Sequence, residues 1–152
     1  MKAEIVPADE SHIPHIAANV READRQELWD YALLKPEEAL HTSLKSSTLA
    51  WTGLVDGIPL CMFGVGPFSM LTDSGFPWMI GTKNLDQYAM TFLRRNKKMV
   101  HVMLKYYSRL GNWVSMENTV AIQWLKWLGF QFGQPEPKGL FHKPFIKFWM
   151  VA

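Results

Sequence analysis

The sequence contains a single cysteine, Cys61, among its 152 residues. No disulfide can therefore form within the chain, and no zinc site built on several thiolates is possible. Cys61 lies in the apolar run Pro59-Leu-Cys-Met-Phe63, where a buried thiol behaves as a small hydrophobic side chain. We interpret it as a core residue rather than a catalytic thiol.

Long apolar runs are missing as well. No stretch approaches the roughly 18 apolar residues that a membrane-spanning helix needs. The first residues do not resemble a signal peptide, because Lys2, Glu4, Asp9 and Glu10 interrupt the apolar positions. We therefore expect no membrane span and a reducing, cytoplasmic compartment, or a particle assembled there.

Neither sign of charge is in large excess, since 16 Lys and Arg against 14 Asp and Glu give a formal net charge of +2. Nucleic-acid binding depends on neutralising phosphates, so a near-neutral total makes nucleic acid an unlikely partner. Of the five histidines, His12 and His15 could share a helix face, but no third ligand is identifiable. We expect no metal site. The sequence also contains neither a GxxxxGK[ST] phosphate loop nor a nucleophile elbow.

What the sequence does have is an ordinary globular composition, with 48% hydrophobic and 20% charged residues. Its length and the lack of any linker predict one domain over residues 1–152. Seven Trp, nine Phe and nine Met are many for this length. They indicate either a bulky core or an exposed groove that meets a partner.

The first half predicts a strand, three helices and a hairpin. Ser11 can cap the first helix, and Pro36 suits the first turn of the third. Asp56-Gly57 between two apolar runs is a strong hairpin signal. The predicted elements are a strand at 2–6, helices at 11–24, at 25–34 and from Pro36, and strands at 48–55 and 58–65.

The second half predicts a long helix between two strands, then a shorter helix and a last strand. One side of the long helix is basic, and Gly111-Asn112 is predicted to end it. The predicted elements are a loop at 66–77, a strand at 78–80, the long helix at 86–110, a strand at 113–117, a helix capped by Asn118, a loop at 134–139 and a strand at 145–151. The basic positions are Arg94, Lys98, His101, Lys105 and Arg109.

The segment Asn118–Phe130 predicts a capped helix, a glycine stop and re-entry into an extended strand. It matches the Asn-x-x-Ala-x-x-x-Tyr-x-x-x-Gly-Phe signature near the C-terminus of GNAT-type N-acetyltransferases, except that Leu125 replaces the tyrosine. The order of elements also resembles that fold over nearly the whole chain. This resemblance implies the α/β (α+β) class, with a mixed, mostly antiparallel central sheet flanked by helices. More narrowly, the block from Phe92 to Phe148 resembles GNAT-like proteins of short-tailed bacteriophages, some of them internal virion proteins.

The resemblance implies acetyl-CoA as cofactor, with its pantetheine arm in a gap between the fourth and fifth strands, here 78–82 and 113–117. In active relatives an Arg/Gln-x-x-Gly-x-Gly/Ala turn opens the long helix, and its amides hold the pyrophosphate. This chain has no glycine between Gly81 and Gly111. Side chains that bind phosphate could replace those amides, or the helix begins earlier and the residues form its solvated face. The candidate cofactor-binding residues are Arg94, Arg95, Asn96, Lys97, Lys98 and Asn118.

Leu125 cannot protonate a departing thiolate as the family's tyrosine does, and general acid help typically contributes about 10²–10⁴-fold. Ser115 and Glu117 are the candidate catalytic residues, since they alternate on one face of the fifth strand. Glu117 could deprotonate an incoming ammonium directly or through water. The alternative is that Glu117 is an exposed carboxylate at the strand end.

Two functions remain open. The first is an acyl-CoA-dependent N-acyltransferase with rearranged or weakened machinery and an unknown amine acceptor. The second is a non-catalytic internal virion or host-interaction protein of a phage, built on the same scaffold and binding a phage or host protein. In that case the protein is expected in the host cytoplasm or in the virion.

Overall fold

The computed structural model describes residues 1–69 and 71–152 and contains one seven-stranded sheet with five α-helices. Met70, which falls in the predicted loop at 66–77, lies outside the described residues. The strands are β1 (Ala3–Pro7), β2 (Leu49–Val55), β3 (Ile58–Pro67), β4 (Ser74–Gly81), β5 (Arg109–Ser115), β6 (Gln131–Lys138) and β7 (Lys143–Val151). The helices are α1 (Ile13–Ala18), α2 (Glu22–Ala32), α3 (Pro36–Ser46), α4 (Ala89–Tyr106) and α5 (Thr119–Leu128).

The strand order is β1-β2-β3-β4-β5-β7-β6, and every neighbouring pair is antiparallel except β4 with β5. This confirms the mixed, mostly antiparallel sheet expected from the sequence. No helix in the described ranges is long and apolar enough to cross a membrane.

Alternation along β3 divides the core between the two faces of the sheet. Cys61 and Phe63 pack with α4 and α5, whereas Met62 packs with α1 and α3. The helices therefore form two layers, α1 to α3 on one face and α4 with α5 on the other. Cys61 is fully buried, as the sequence predicted.

Local turn chemistry confirms two sequence predictions. Asp56 and Gly57 have φ angles of 49° and 79°, the positive values that the tight hairpin turn requires. Gly129 ends α5 at φ 103°, where its amide and that of Phe130 satisfy carbonyls of the last turn.

Several element boundaries were predicted wrongly. The helix expected at 11–24 is a 3₁₀ turn at Glu10–His12 followed by α1, which ends at Ala18, and Val20 then pairs with Thr82 after the end of β4. The second helix begins at Glu22 rather than at 25. Of the loop expected at 134–139, residues 134–138 belong to β6, an edge strand, where prolines are tolerated, and only Gly139 lies in a turn.

The long helix is shorter than predicted at both ends. A 3₁₀ turn, Lys83–Tyr88, precedes α4, and Gly111 and Asn112 lie inside β5 instead of ending the helix. Tertiary contact stops α4, since Tyr107 has an extended backbone and its hydroxyl bonds Thr48 Oγ1 at 2.6 Å. β4 likewise begins at Ser74, four residues earlier than expected.

Candidate functional site

The parallel pair β4–β5 is joined over only two residue pairs, Ser74 with Arg109 and Gly75 with Leu110. Beyond these pairs the two strands diverge, which leaves a gap in the middle of the sheet. Backbone groups that line a gap need other partners, because an unpaired buried N–H or C=O is costly. The partners that this chain supplies define the candidate site.

The narrow end of the gap is bridged by the side chain of Asn112. Its Nδ2 donates to the Pro77 carbonyl of β4 at 2.8 Å, and its Oδ1 accepts the Trp113 amide of β5 at 2.8 Å. One carboxamide thus takes the place of a missing peptide group between the strands.

The wide end of β4 is covered by the segment between α1 and α2. Arg21 donates its backbone N–H to Gly81 O, and Lys83 donates its N–H to Asn19 O, both at 2.9 Å. Val20 and Thr82 form the antiparallel bridge between these two bonds. Residues 19–21 therefore act as a short extra strand on the edge of β4 that faces the gap.

Two carboxylates of α2 accept hydrogen bonds from the backbone amides at the ends of β4 and β5. Asp24 Oδ2 accepts Gly81 N–H of β4 at 2.9 Å, and Glu27 Oε1 accepts Ser115 N–H of β5 at 2.8 Å. Asn118 ties the two acids together, donating from Nδ2 to Asp24 Oδ1 at 3.1 Å and to Glu27 Oε1 at 3.4 Å. Helix α2 therefore closes the wide end of the gap.

Asn118 occupies the N-cap position of α5, as predicted, but its side chain makes no capping bond. It is 2% exposed and turned toward the acids of α2 instead. Its Oδ1 has no hydrogen-bond partner among the described residues. The long-range contact with α2 has replaced the local cap.

Arg21 balances part of this negative charge. Its Nη1 lies 3.0 Å from Asp24 Oδ1 and its Nε 3.8 Å from Asp86 Oδ1. The guanidinium carbon is 5.6 Å from the centre of the Trp124 ring on α5. This cation thus connects α2, the turn before α4, and α5.

Burial is the largest influence on the pKa of both Asp24 and Glu27. Desolvation raises the pKa of Asp24 although Arg21 and the Gly81 amide oppose the shift. Desolvation also raises the pKa of Glu27 to about 7, against the opposing bond from Ser115 N–H. Glu27 therefore changes protonation close to neutral pH.

A small pocket of about 200 Å³ opens beside Glu27. Glu117, one of the predicted catalytic residues, is exposed at its rim, where Oε1 lies 3.9 Å from Lys143 Nζ. Ser115, the other one, is buried and accepts Glu117 N–H on Oγ at 3.1 Å. The pocket is lined by Glu22, Ala23, Gln26, Glu27, Ser115, Glu117 and Asn118. The structure thus brings three predicted residues together with acids of α2.

Sequence reasoning missed Asp24 and Glu27. In the sequence they look like ordinary helical charges, and the bonds that use them span 57 and 88 residues. The one signal in the sequence is the weak apolar stripe of α2; the structure shows that the two buried residues of this helix are both acids, Asp24 and Asp30. A helix that buries carboxylates needs partners elsewhere in the fold.

The structure places the five remaining predicted cofactor residues inside α4, five to nine positions after its first residue. Arg94 and Lys98 are exposed, and Asn96 is buried. Arg95 Nη1 donates to the carbonyl of Ala3 in β1 at 2.6 Å, four places away from β5 in the sheet. These residues are therefore not brought together with Ser115, Glu117 and Asn118.

The residues beside β4 do not fit an acyl-CoA arm in the gap. Gly81 is already packed against its own chain: an added Cβ would lie 2.7 Å from Leu85 Cδ2 and 3.3 Å from Arg21 Cδ. Its N–H and C=O are both bonded within the chain. An inserted pantetheine would have to displace the start of α2.

The connection from β4 to α4 does not fit a pyrophosphate either. Thr82 N–H donates to Leu60 O at 2.8 Å, and Lys83 N–H is bonded to Asn19 O. Asp86 adds a negative charge in the same turn. Two amides of this connection are therefore already bonded within the chain, beside a carboxylate that would repel a pyrophosphate.

No protein-family model matches the chain, and no curated protein matches its sequence. Solved structures do match it over nearly the whole of this chain. An N-acetyltransferase from Staphylococcus aureus Mu50 is 14% identical with a TM-score of 0.75, and each chain is covered to 99%. An acetyltransferase of the GNAT family from Streptococcus pneumoniae is 14% identical with a TM-score of 0.68, again over 99% of each chain.

A third similar structure is the spermidine N-acetyltransferase from Vibrio cholerae in complex with CoA and spermine. It is 11% identical with a TM-score of 0.70, covering 98% of this chain and 95% of that one. At identities this low, the similarity shows a shared fold and does not show shared chemistry. The chain has the fold of the GNAT N-acetyltransferases.

Proposed function

We propose that this chain is a binding protein that keeps the acetyltransferase scaffold while its own helix α2 fills the cofactor gap. The observation that carries the proposal is that Asp24 and Glu27 accept the amides of Gly81 and Ser115 at the two strand ends. Hydrogen bonds to charged groups contribute about 1.5–3 kcal/mol each. A cofactor arm would have to compensate for the loss of both before it gained any net affinity.

Leu125 supports the same interpretation. Its side chain packs against the core between the sheet and α4–α5, and its carbonyl accepts the Phe130 amide that ends α5. The signature around it thus serves folding in this chain. A leucine at this place supplies no proton to a leaving group.

The narrower resemblance to phage virion proteins suggests the kind of partner. On that basis we propose a phage or host protein, met in the host cytoplasm or in the virion. The exposed aromatic side chains Trp29, Tyr31 and Phe141, each 42–47% exposed, offer apolar contact area for such a partner.

A second candidate is the acyl-CoA-dependent N-acyltransferase, and Glu27 is the observation that favours it. A carboxyl group with a pKa near 7, beside a pocket that also contains Ser115 and Glu117, suits the deprotonation of an amine. This function requires α2 to leave the gap so that acetyl-CoA can enter. The amine acceptor stays unspecified.

Calorimetric titration with acetyl-CoA separates the two. We expect no saturable heat with the wild-type protein up to millimolar cofactor. Micromolar binding to the wild type would overturn the proposal and favour the acyltransferase. An Arg94→Glu/Lys98→Glu variant would then show whether the predicted side chains of α4 hold the phosphates.

A variant that empties the gap sharpens this result. Asp24→Ala/Glu27→Ala removes both carboxylates that bond the strand ends at the gap. Far-ultraviolet circular dichroism would check that this variant stays folded. Weak binding that appears only in this variant supports α2 as the obstacle. If neither the wild type nor the variant binds acetyl-CoA, the result supports a protein that has lost the phosphate site as well as the open gap.

A further inference from the structure

The two helices on one face of the sheet are free of acidic residues. Helices α4 and α5 together carry six Lys and Arg and no Asp or Glu. The near-neutral total of the chain therefore conceals a strongly basic face. We call the exposed basic side chains of these helices, apart from Arg95, which bonds Ala3 O, together with Trp127, the α4–α5 face. Its basic members are Arg94, Lys97, Lys98, His101, Lys105 and Lys126.

The members of the α4–α5 face that lie on α4 are all on one side of that helix, where they form a stripe. Arg94, Lys97, Lys98, His101 and Lys105 are all exposed and follow the i, i+3, i+4, i+7, i+11 spacing of one helix side. At 1.5 Å per residue the stripe extends over about 16 Å. Among the described residues, no carboxylate lies within 4.0 Å of any of them. Their charge is available to a ligand.

An aromatic ring lies beside the stripe. Trp127 on α5 is 42% exposed, and Lys97 Nζ lies 5.3 Å from the centre of its ring. Lys126 precedes it in the sequence and is also exposed. Cations that follow a phosphate backbone, next to an exposed ring that can stack on a base, are the combination that binds single strands.

We propose that the α4–α5 face binds single-stranded nucleic acid. The proposal adds a nucleic-acid partner to the protein partner proposed above, and it rests on α4 and α5 rather than on the gap between β4 and β5. Failure here leaves the closed gap intact as an explanation of missing cofactor binding. Conversely, cofactor binding that the Arg94→Glu/Lys98→Glu variant retains would not involve this surface.

An anionic membrane is the competing polyanion, and the packing of α4 disfavours it. A helix that lies in a membrane buries its apolar side among the lipid chains. The apolar side of α4 is already used, since Phe92, Val100 and Met103 are buried against the sheet. Only the charged side remains free.

The direct test is fluorescence anisotropy with a labelled 20-nucleotide oligo-dT and a labelled oligo-U. Five Lys and Arg contacts with a single strand predict a slope of about −3.5 for the logarithm of affinity against the logarithm of salt. Binding should thus weaken about 100-fold between 50 and 200 mM salt. No binding at 50 mM salt with about 100 μM protein would overturn the proposal.

A matched pair of charge reversals locates the surface. Lys98→Glu/Lys105→Glu should weaken oligo-dT binding at least about tenfold, since two phosphate contacts become repulsions. Lys45→Glu/Lys147→Glu makes the same change in net charge at exposed positions outside α4 and α5, and should leave affinity within about threefold. Equal losses in both variants would show a general charge effect and contradict a localised site.

Substitutions of Trp127 test whether its ring stacks on a nucleic-acid base. Trp127→Ala should weaken oligo-dT about tenfold while changing a 20-base-pair duplex much less, because paired bases do not stack on the ring. Trp127→Phe retains a ring and should restore much of the affinity, and circular dichroism checks the fold of both. Vesicles rich in phosphatidylserine form the last arm: binding to them without binding to oligo-dT would overturn nucleic acid in favour of a membrane.

Discussion

The two helical layers of this molecule use charge in opposite ways. Residues 8–47, which contain α1 to α3, carry eight Asp and Glu and four Lys and Arg, whereas α4 and α5 carry six Lys and Arg and no acid. On the first layer, acids such as Asp24 and Asp30 are buried. On the second, the cations stay in water. The comparison teaches that the first layer uses buried acids to hold the strand ends of the sheet, whereas the second layer keeps its charges exposed on the surface.

The largest expected effect is the loss of a buried acid from the first layer. Asp24→Ala removes the partner of Gly81 N–H, of Asn118 Nδ2 and of the Arg21 guanidinium together. We expect a loss of about 3–5 kcal/mol in the free energy of unfolding, measured in urea, because the buried Arg21 guanidinium keeps only its longer contact with Asp86 and the Gly81 amide loses its partner. Glu22→Ala on the same helix breaks only an exposed pair with Arg25 and should cost less than about 1 kcal/mol. Similar losses of stability in the two variants would contradict the expectation that buried acids stabilise this layer more than exposed ones.

The next effect depends on pH. The folded pKa of Glu27 is raised to about 7 from its ordinary 4.5, so between these values the native state binds more protons than the unfolded state. Stability therefore falls as pH rises from about 4.5 to 7 and levels off above that, by a few kcal/mol at most. The raised pKa of Asp24 has the same sign.

Glu27→Gln keeps an acceptor for Ser115 N–H and removes the charge. We expect this variant to be more stable than the wild type at pH 7.5, with a flatter profile between pH 5 and 7.5 in urea unfolding. A profile that keeps the wild-type slope would assign the pH dependence to another group.

Packing at the gap predicts a smaller effect. Gly81→Ala places a methyl group 2.7 Å from Leu85 Cδ2 and should cost about 1–3 kcal/mol. Gly111→Ala in the neighbouring strand is the matched control, since its nearest contact would be Phe148 O at 3.4 Å. Thermal unfolding of the two variants gives the difference. A larger loss at Gly111 would mean that the gap beside Gly81 is open.

The smallest effect belongs to the basic layer. Lys98→Glu/Lys105→Glu should change the free energy of unfolding by no more than about 0.5 kcal/mol per site, because neither side chain has an acidic partner among the described residues. Urea unfolding at low salt checks this. A clear loss would give these cations a structural role and weaken the contrast between the layers.

Local chemistry explains which parts of the fold could be predicted from the sequence. Asp56-Gly57 needs positive φ angles, and Gly129 stops a helix wherever it occurs, so both turns were predictable from their own residues. Tyr107 and Asn112 depend on distant partners, Thr48 and Pro77, and their elements were therefore bounded wrongly.

The site could be predicted only in part, for the same reason. Ser115, Glu117 and Asn118 follow from the family signature and its strand, and they line one pocket. Asp24 and Glu27 reach them through contacts across about 90 residues of chain, which no local pattern contains. The basic side of the long helix was predicted, but the near-neutral net charge, which adds the two layers together, argued against nucleic acid as its partner.

The two-pair junction between β4 and β5 also has a mechanical consequence. Strands β1 to β4 and strands β5 to β7 form two half-sheets, held along their seam by Ser74–Arg109, Gly75–Leu110, one asparagine side chain and two carboxylates. A force applied across this seam meets far fewer backbone bonds than one applied across any other pair of strands. Hydrogen exchange should reveal it as the line along which the native protein first comes apart, with the amides of Gly81 and Ser115 losing protection together.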